Sequence, residues 1–271
     1  MSDMPAFLEV YTNTYTAPAN VCIYSGHTED LTDEHVVPYG LGGRLVLPKA
    51  SCPACSNITR SIEERVLHGF MLDARTAGNF RTRRPKERPK TISVQIERDK
   101  QFETVNIPAS EAPGILQLPI LDRSSFLTGK PSVAGINITG NETIGFGKSP
   151  AEAAAALGTK TLQVTSTIDV PAFVRMIAKI GYSYAVSQLG PYPLNEVPVL
   201  PLILGTADDG STWVGSAHYR LKVEDKKPSH ALGLTTTTSA NEEVLVAQVK
   251  LFADAGATGY EVVVRRKPLV K

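Results

Sequence analysis

Cysteine is scarce in this chain: its 271 residues include three cysteines and one tryptophan. Three cysteines are too few, and odd in number, for a secreted disulfide scaffold, so a reducing compartment is expected. An excess of charge of one sign is also missing. The 28 Lys and Arg nearly balance the 27 Asp and Glu, leaving a net charge of +1. Any affinity for nucleic acid must therefore come from local clustering of charge. No run approaches the ~18 apolar residues of a membrane span, which argues against a membrane partner. The opening MSDMPAFLEVYTNTY has no basic segment followed by an apolar core, so no secretory leader is expected. The protein is read as cytoplasmic. The sequence says nothing of oligomeric state.

What is present is a globular composition, 42% apolar and 20% charged. The length suffices for one large domain or two ordinary ones. Residues 1–16 form a strand-rich lead-in, with Tyr11, Thr12, Thr14, Tyr15 and Thr16 favouring extended backbone. Residues 20–57 are loop-like. From Ile58 the apolar residues Ile62, Val66 and then Phe70 or Leu72 recur at helical spacing, with Gly78 as the stop.

Residues 80–90, FRTRRPKERPK, then set Arg81, Arg83, Arg84, Lys86, Arg88 and Lys90 against a single acid. Pro85 and Pro89 forbid a regular helix here, so the stretch reads as an extended basic arm and marks a domain boundary.

Beyond the arm, TISVQIERD and ETVNIP read as two strands. The Pro-, Gly- and Ser-rich segment from 108 to 150 has no clear period. SPAEAAAALGTK reads as a short helix capped by Ser149 with Pro150 at its first position, and TLQVTSTI as a strand. Residues 169–190 give the strongest helix, with Asp169 at the cap and Gly190-Pro191 at the end. Its apolar side carries Phe173, Ile177, Ile180, Tyr184 and Val186. The remainder, including VPLILG, TWVGSAHYRLKV, EVLVAQVKLFAD and TGYEVVVRR, reads as mainly β.

The chemistry concentrates in residues 32–57, TDEHVVPYGLGGRLVLPKASCPACSN. Cys52-Pro-Ala-Cys55 has the spacing of half a zinc site or of a redox motif, and the redox motif would need a βαβ setting that the upstream sequence does not supply. The other half of a zinc site would be Cys22, with Ser25 standing where a second cysteine is expected. His27 could be the fourth ligand, or packing alone could hold the knuckle. His35 follows Asp33-Glu34. A carboxylate beside an imidazole suits metal-assisted phosphodiester hydrolysis, in which the acid holds a divalent cation and the neutral imidazole takes a proton from water. Asn57 at the predicted helix start is a candidate further ligand.

The ordered string Cys22, Asp33-Glu34-His35-Val-Val-Pro, Leu41-Gly42-Gly43, Cys52-x-x-Cys55 and Asn57 resembles the zinc-knuckle branch of the HNH endonucleases, which are ββα-metal nucleases. The likeness covers about residues 20–75. It implies a β-hairpin carrying His35, a loop, and a helix beginning near Cys55, with His35 as general base. It also implies Glu34 and Asn57 on a catalytic Mg2+ or Mn2+, and a structural Zn2+ at the knuckle, for which Cys22, His27, Cys52 and Cys55 are the candidate ligands. Arg44 stands where the family has an asparagine.

The expected protein is therefore α+β. Residues 1–90 would form a nuclease-like module acting on DNA, with RNA left open, and the basic arm would contact phosphates. Residues 91–271 would form a mixed α/β domain of open role. Two other readings remain: a non-catalytic zinc-knuckle nucleic-acid binder, and a sensor acting through the C-terminal domain. Elsewhere, GFGKS lacks a phosphate-loop glycine because Glu142 holds that position. Asp208-Asp209-Gly210 is first of all a turn. His218 and His230 read as structural or exposed.

Overall fold

The structure, a computed structural model, describes residues 7, 8, 13–132, 134–217 and 229–269. Most of the lead-in, His218 and all of YRLKV lie outside the described residues. In chain order, β1 (Phe7–Leu8) and β2 (Thr14–Tyr15) precede β3 (Thr32–His35) and β4 (Leu45–Ser51), and then helices α1 (Pro53–Leu67) and α2 (Leu72–Ala77) follow. The middle of the chain runs β5 (Thr91–Arg98), β6 (Gln101–Pro108), β7 (Pro113–Leu121), α3 (Ser125–Thr128), β8 (Ile138–Gly147), α4 (Pro150–Ala156) and β9 (Leu162–Gln163). Then come α5 (Val170–Leu189), α6 (Leu200–Leu204) and α7 (Gly210–Trp213). Four strands close the chain: β10 (Val214–Ser216), β11 (His230–Ser239), β12 (Glu242–Leu251) and β13 (Tyr260–Pro268). Among the described residues, every strand pair is antiparallel except β2 with β4, so the mixed α+β class holds.

The last strands form a five-stranded sheet in the order β1-β11-β12-β13-β10, and α5 lies across it. Gly181 permits that approach, since a Cβ there would meet the Val262 side chain at 3.0 Å. Helix α5 forms where it was expected. The Asp169 carboxylate accepts a hydrogen bond from the Ala172 N–H at 3.1 Å, and Pro follows inside the first turn. Its other face packs on α1. One apolar cluster therefore runs from Cys22 and Val36 through Phe173 and Ile177 to Val264. The core is continuous across residue 90.

Local chemistry explains most of the remaining elements. Ser149 and Glu152 close a reciprocal capping box on α4. β5 and β6 pair along their full length, with Ile92, Val94 and Ile96 turned inward. The unreadable 108–150 segment is the β7–β8 hairpin, with α3 inside its long connection.

Four expectations need correction. The helix foreseen from Ile58 begins at Pro53, because its first inward residue is Cys55, which an aliphatic period does not register. It also breaks at Gly69 into two helices, where a Cβ would meet the Arg65 carbonyl at 2.3 Å. VPLILG is not β. Leu200–Leu204 is helical, with Pro201 in its first turn and Gly205 left-handed at its end. TLQVTSTI contributes only Leu162–Gln163 as strand. The basic arm is not fully extended either, since Pro85–Glu87 forms a 3-10 turn.

Candidate functional site

β3 and β4 pair antiparallel, with Glu34 opposite Leu47 and His35 opposite Val46, and a register shift lies between Thr32 and Glu34. The connection turns on two glycines. Gly42 is left-handed at φ +99°, and a Cβ on Gly43 would meet the Val37 carbonyl oxygen at 2.0 Å. Chain direction reverses at once into α1. Together with the segment from Phe80 to Pro89, β3 and α1 wall a cleft of about 960 Å³.

His35 lines this cleft half-buried, its ring edge-on to Tyr39 at 5.9 Å between centroids. Burial, helped by the cations Lys179, Arg83 and Arg44, pulls the imidazole down to about 4, so it is neutral at physiological pH. Arg44 and Arg83 both place their guanidinium groups over the Tyr39 ring, at 5.0 and 5.4 Å. Of the six basic residues of the arm, Arg83, Arg84 and Arg88 line the cleft, while Arg81, Lys86 and Lys90 do not. Arg88 is held by Asn79 and the Phe80 carbonyl, and Arg84 pairs with Glu87 at 3.3 Å. Arg75 closes the opposite wall by donating to the carbonyls of Gly40 at 2.9 Å and Leu67 at 2.7 Å.

Behind His35 lies a buried ionic centre. Lys179 of α5 is 1% exposed and reaches Glu34 at 2.5 Å and Glu63 of α1 at 2.9 Å. Its ammonium also donates to the His35 carbonyl and, at 3.4 Å, to that of Val36. Burial pulls the lysine down, but Glu34 and Glu63 outweigh it and keep its pKa above the ordinary value. Burial pushes Glu34 up against the opposing pull of the same lysine. The Tyr24 hydroxyl is buried close enough to Glu34 to couple to it electrostatically, without a well-formed hydrogen bond of its own.

The cysteine knuckle sits at the start of α1. The sulfurs of Cys22, Cys52 and Cys55 lie within 4.8 Å of one another, all buried. Cys52 occupies the helix cap without donating or accepting a capping hydrogen bond, since its thiol is turned to the cluster. Burial pushes the Cys52 thiol up, but hydrogen bonds from the Cys55 backbone, Ser25 and the neighbouring thiols outweigh it and bring it down to about 6. Burial drives Cys55 the other way, to about 12. Three thiols converging in one buried pocket, one of them easily ionised, suit a thiophilic cation such as Zn2+. Ser25 faces this group, with its hydroxyl 3.6 Å from the Cys52 sulfur. His27 stands one step further out, with Nδ1 3.1 Å from the Ser25 hydroxyl.

The structure thus gathers the three cysteines into one group and sets Glu34 and His35 together in the cleft, while Asn57 joins neither. Asn57 is exposed and absent from the cleft lining. The face of α1 that lines the cleft carries Ser56, Thr59, Arg60, Glu63, Glu64 and Leu67. Glu34, for its part, is committed to an ammonium. The pair expected to hold a divalent cation therefore does not fit one.

Sequence reasoning missed Glu63 and Lys179. Lys179 had a signal, being a lone cation in the apolar run Ile177-Ala178-Lys179-Ile180, which a buried helix tolerates only with a partner. Glu63 falls seven residues after Ser56, visible only once the helix start is placed at Pro53. His230 is buried, with one ring nitrogen 2.8 Å from the Leu41 carbonyl and the other accepting from the Phe252 N–H, so it ties the glycine loop to the C-terminal sheet. No helix among the described residues is long and apolar enough to cross a membrane. No family model, curated protein or solved structure matches this chain.

Proposed function

We propose that this protein is a nuclease of the ββα type, hydrolysing phosphodiester bonds of nucleic acid, with DNA as the default substrate and His35 as general base. The observation that carries the reading is the placement of a neutral imidazole on the cleft floor, at the end of β3, facing a wall of arginines. Substrate phosphates enter along Arg83 and Arg84 and meet Arg60 from α1. A water beside His35 gives its proton to the imidazole as its oxygen bonds to phosphorus, the ester P–O bond breaks, and the departing alkoxide takes up a proton from solvent. Charge that develops on the phosphate oxygens is met by Arg83, close enough to His35 to lower its pKa. Lys179 holds the backbone of His35 and Val36 and does not reach the substrate. No step is assigned to a divalent cation at Glu34 and Asn57, because their arrangement does not suit one.

A second reading has its own support. The Lys179 ammonium satisfies Glu34 and Glu63, as in a scaffold that binds nucleic acid without cutting it. Supercoiled-plasmid cleavage separates the two, run with the wild type and His35→Ala, in Mg2+, in Mn2+ and in EDTA. Cutting by the wild type and loss in the mutant supports the nuclease. Tight binding of the same plasmid with no cutting in any condition moves the conclusion to the binder.

A further inference from the structure

The knuckle has three sulfurs, and two residues compete for its fourth corner. Zinc lies about 2.3 Å from a thiolate and about 2.0–2.2 Å from an oxygen, which gives tetrahedral edges of roughly 3.5–3.8 Å. The Ser25 hydroxyl lies 3.6 Å from the Cys52 sulfur, the length of such an edge. His27 does not stand at a corner. Its ring nitrogens do not join the three sulfurs that lie within 4.8 Å of one another, and Nδ1 is 3.1 Å from the same hydroxyl. The short loop fixes both positions, since the Cys22 N–H donates to the His27 carbonyl at 2.6 Å and the Gly26 N–H to the Cys22 carbonyl at 2.8 Å.

We propose that the knuckle is a Cys3Ser metal site, in which Cys22, Cys52, Cys55 and the Ser25 oxygen bind Zn2+ and His27 orients the serine without touching the metal. The orientation follows from hydrogen-bond directionality. When the Ser25 hydroxyl donates its proton to Nδ1 of His27, the oxygen lone pairs turn toward the three sulfurs. A hydroxyl is a weak zinc ligand on its own. A partner that holds its proton raises its donor strength, as outer hydrogen-bond partners do for other metal ligands. This reverses the ligand order read from sequence, in which His27 filled the vacancy left by Ser25. It also gives His27, an exposed residue, a defined task.

The test is Co2+ titration of the reduced, full-length protein after chelation, read by absorption, with Zn2+ competition and circular dichroism on every variant. The expected wild-type result is one tetrahedral Co2+ with thiolate charge-transfer intensity for three sulfurs. Ser25→Cys should add intensity for a fourth sulfur and tighten binding. Ser25→Ala should weaken binding by about 10- to 100-fold and shift the ligand-field bands, whereas Ser25→Thr, which keeps the oxygen, should restore both. His27→Ala should weaken binding about 10-fold while leaving the ligand-field bands tetrahedral and the sulfur count unchanged. If Ser25→Ala binds like the wild type while His27→Ala loses the bands, histidine is the ligand and the proposal is wrong. If the folded wild type takes up no Co2+, the knuckle is held by packing and the proposal fails outright. Neither outcome depends on whether the cleft cuts nucleic acid.

Discussion

The Lys179 ammonium lies 2.5 Å from Glu34, and this contact joins the longest helix of the C-terminal region to the strand that carries His35. The lysine also satisfies Glu63 of α1 and two backbone carbonyls. One side chain thus ties α5 to β3 and α1, two of the elements that wall the cleft. An isolated piece ending near residue 90 would lack it and leave the Glu34 and Glu63 carboxylates without their cation.

Removing that lysine should be costly. Lys179→Met leaves Glu34 and Glu63 without their cation, a change that typically costs about 3–5 kcal/mol for a buried pair. Urea unfolding of the variant measures it. Adding Glu34→Gln and Glu63→Gln should recover part of the loss, because the stranded charges are then gone. A single-variant loss below about 1 kcal/mol would show that the ionic centre does not hold the fold.

Acid should act on the cleft through His35. Its folded pKa, about 4, lies below the ordinary imidazole value of 6.5, so between these values the unfolded chain binds more protons than the folded one. The neutral ring's contribution is fully present above 6.5 and is lost as pH falls toward 4. Comparing wild type with His35→Gln by denaturation at pH 7 and pH 5 should show the wild type losing more stability. The acid limb of any cleavage profile should fall well below pH 6.5, and a limb centred at 6.5 would contradict the buried, cation-flanked ring.

The arm's cations should divide into two groups. Arg83→Ala removes a cleft cation and should weaken plasmid binding, reducing the slope of log K against log salt by about 0.9. Lys86→Ala and Lys90→Ala, outside the cleft, should change the slope little. Fluorescence anisotropy at several salt concentrations decides this. Equal effects from all three would return the arm to a diffuse basic tether.

The glycine pair makes a sharper structural prediction. Gly43→Ala puts a methyl 2.0 Å from the Val37 carbonyl oxygen, which the backbone cannot yield without moving β3 or β4. Gly42→Ala meets no atom within 4 Å and pays only for its left-handed φ of +99°. The first should cost more than about 2 kcal/mol and the second about 1–2 kcal/mol. Thermal unfolding ranks them, and the reverse ranking would mean that the turn is not held against Val37.

Much of the molecule was legible locally. Asp169 and Ser149 cap the helices they were expected to cap, and TISVQIERD forms the strand it was expected to form. Such features depend on a few neighbouring side chains and their backbone, so the chain carries them openly. The cysteine spacing likewise announced a cluster.

What the chain could not announce is who meets whom across long separations. Whether Glu34 holds a metal or an ammonium depends on α5 crossing α1, and no local pattern encodes that crossing. Asn57 stands outside the cleft lining, and its side of α1 depends on a helix start that is hidden by a cysteine in an aliphatic period. Choosing Ser25 rather than His27 for the fourth corner needed the path of one short loop. Sequence alone set the residue types, the caps and the cysteine spacing, because those act within a turn or two of backbone. Tertiary packing decided the partners of the buried charges, because desolvation and Coulomb energy depend on positions that only the folded chain brings within a few ångströms.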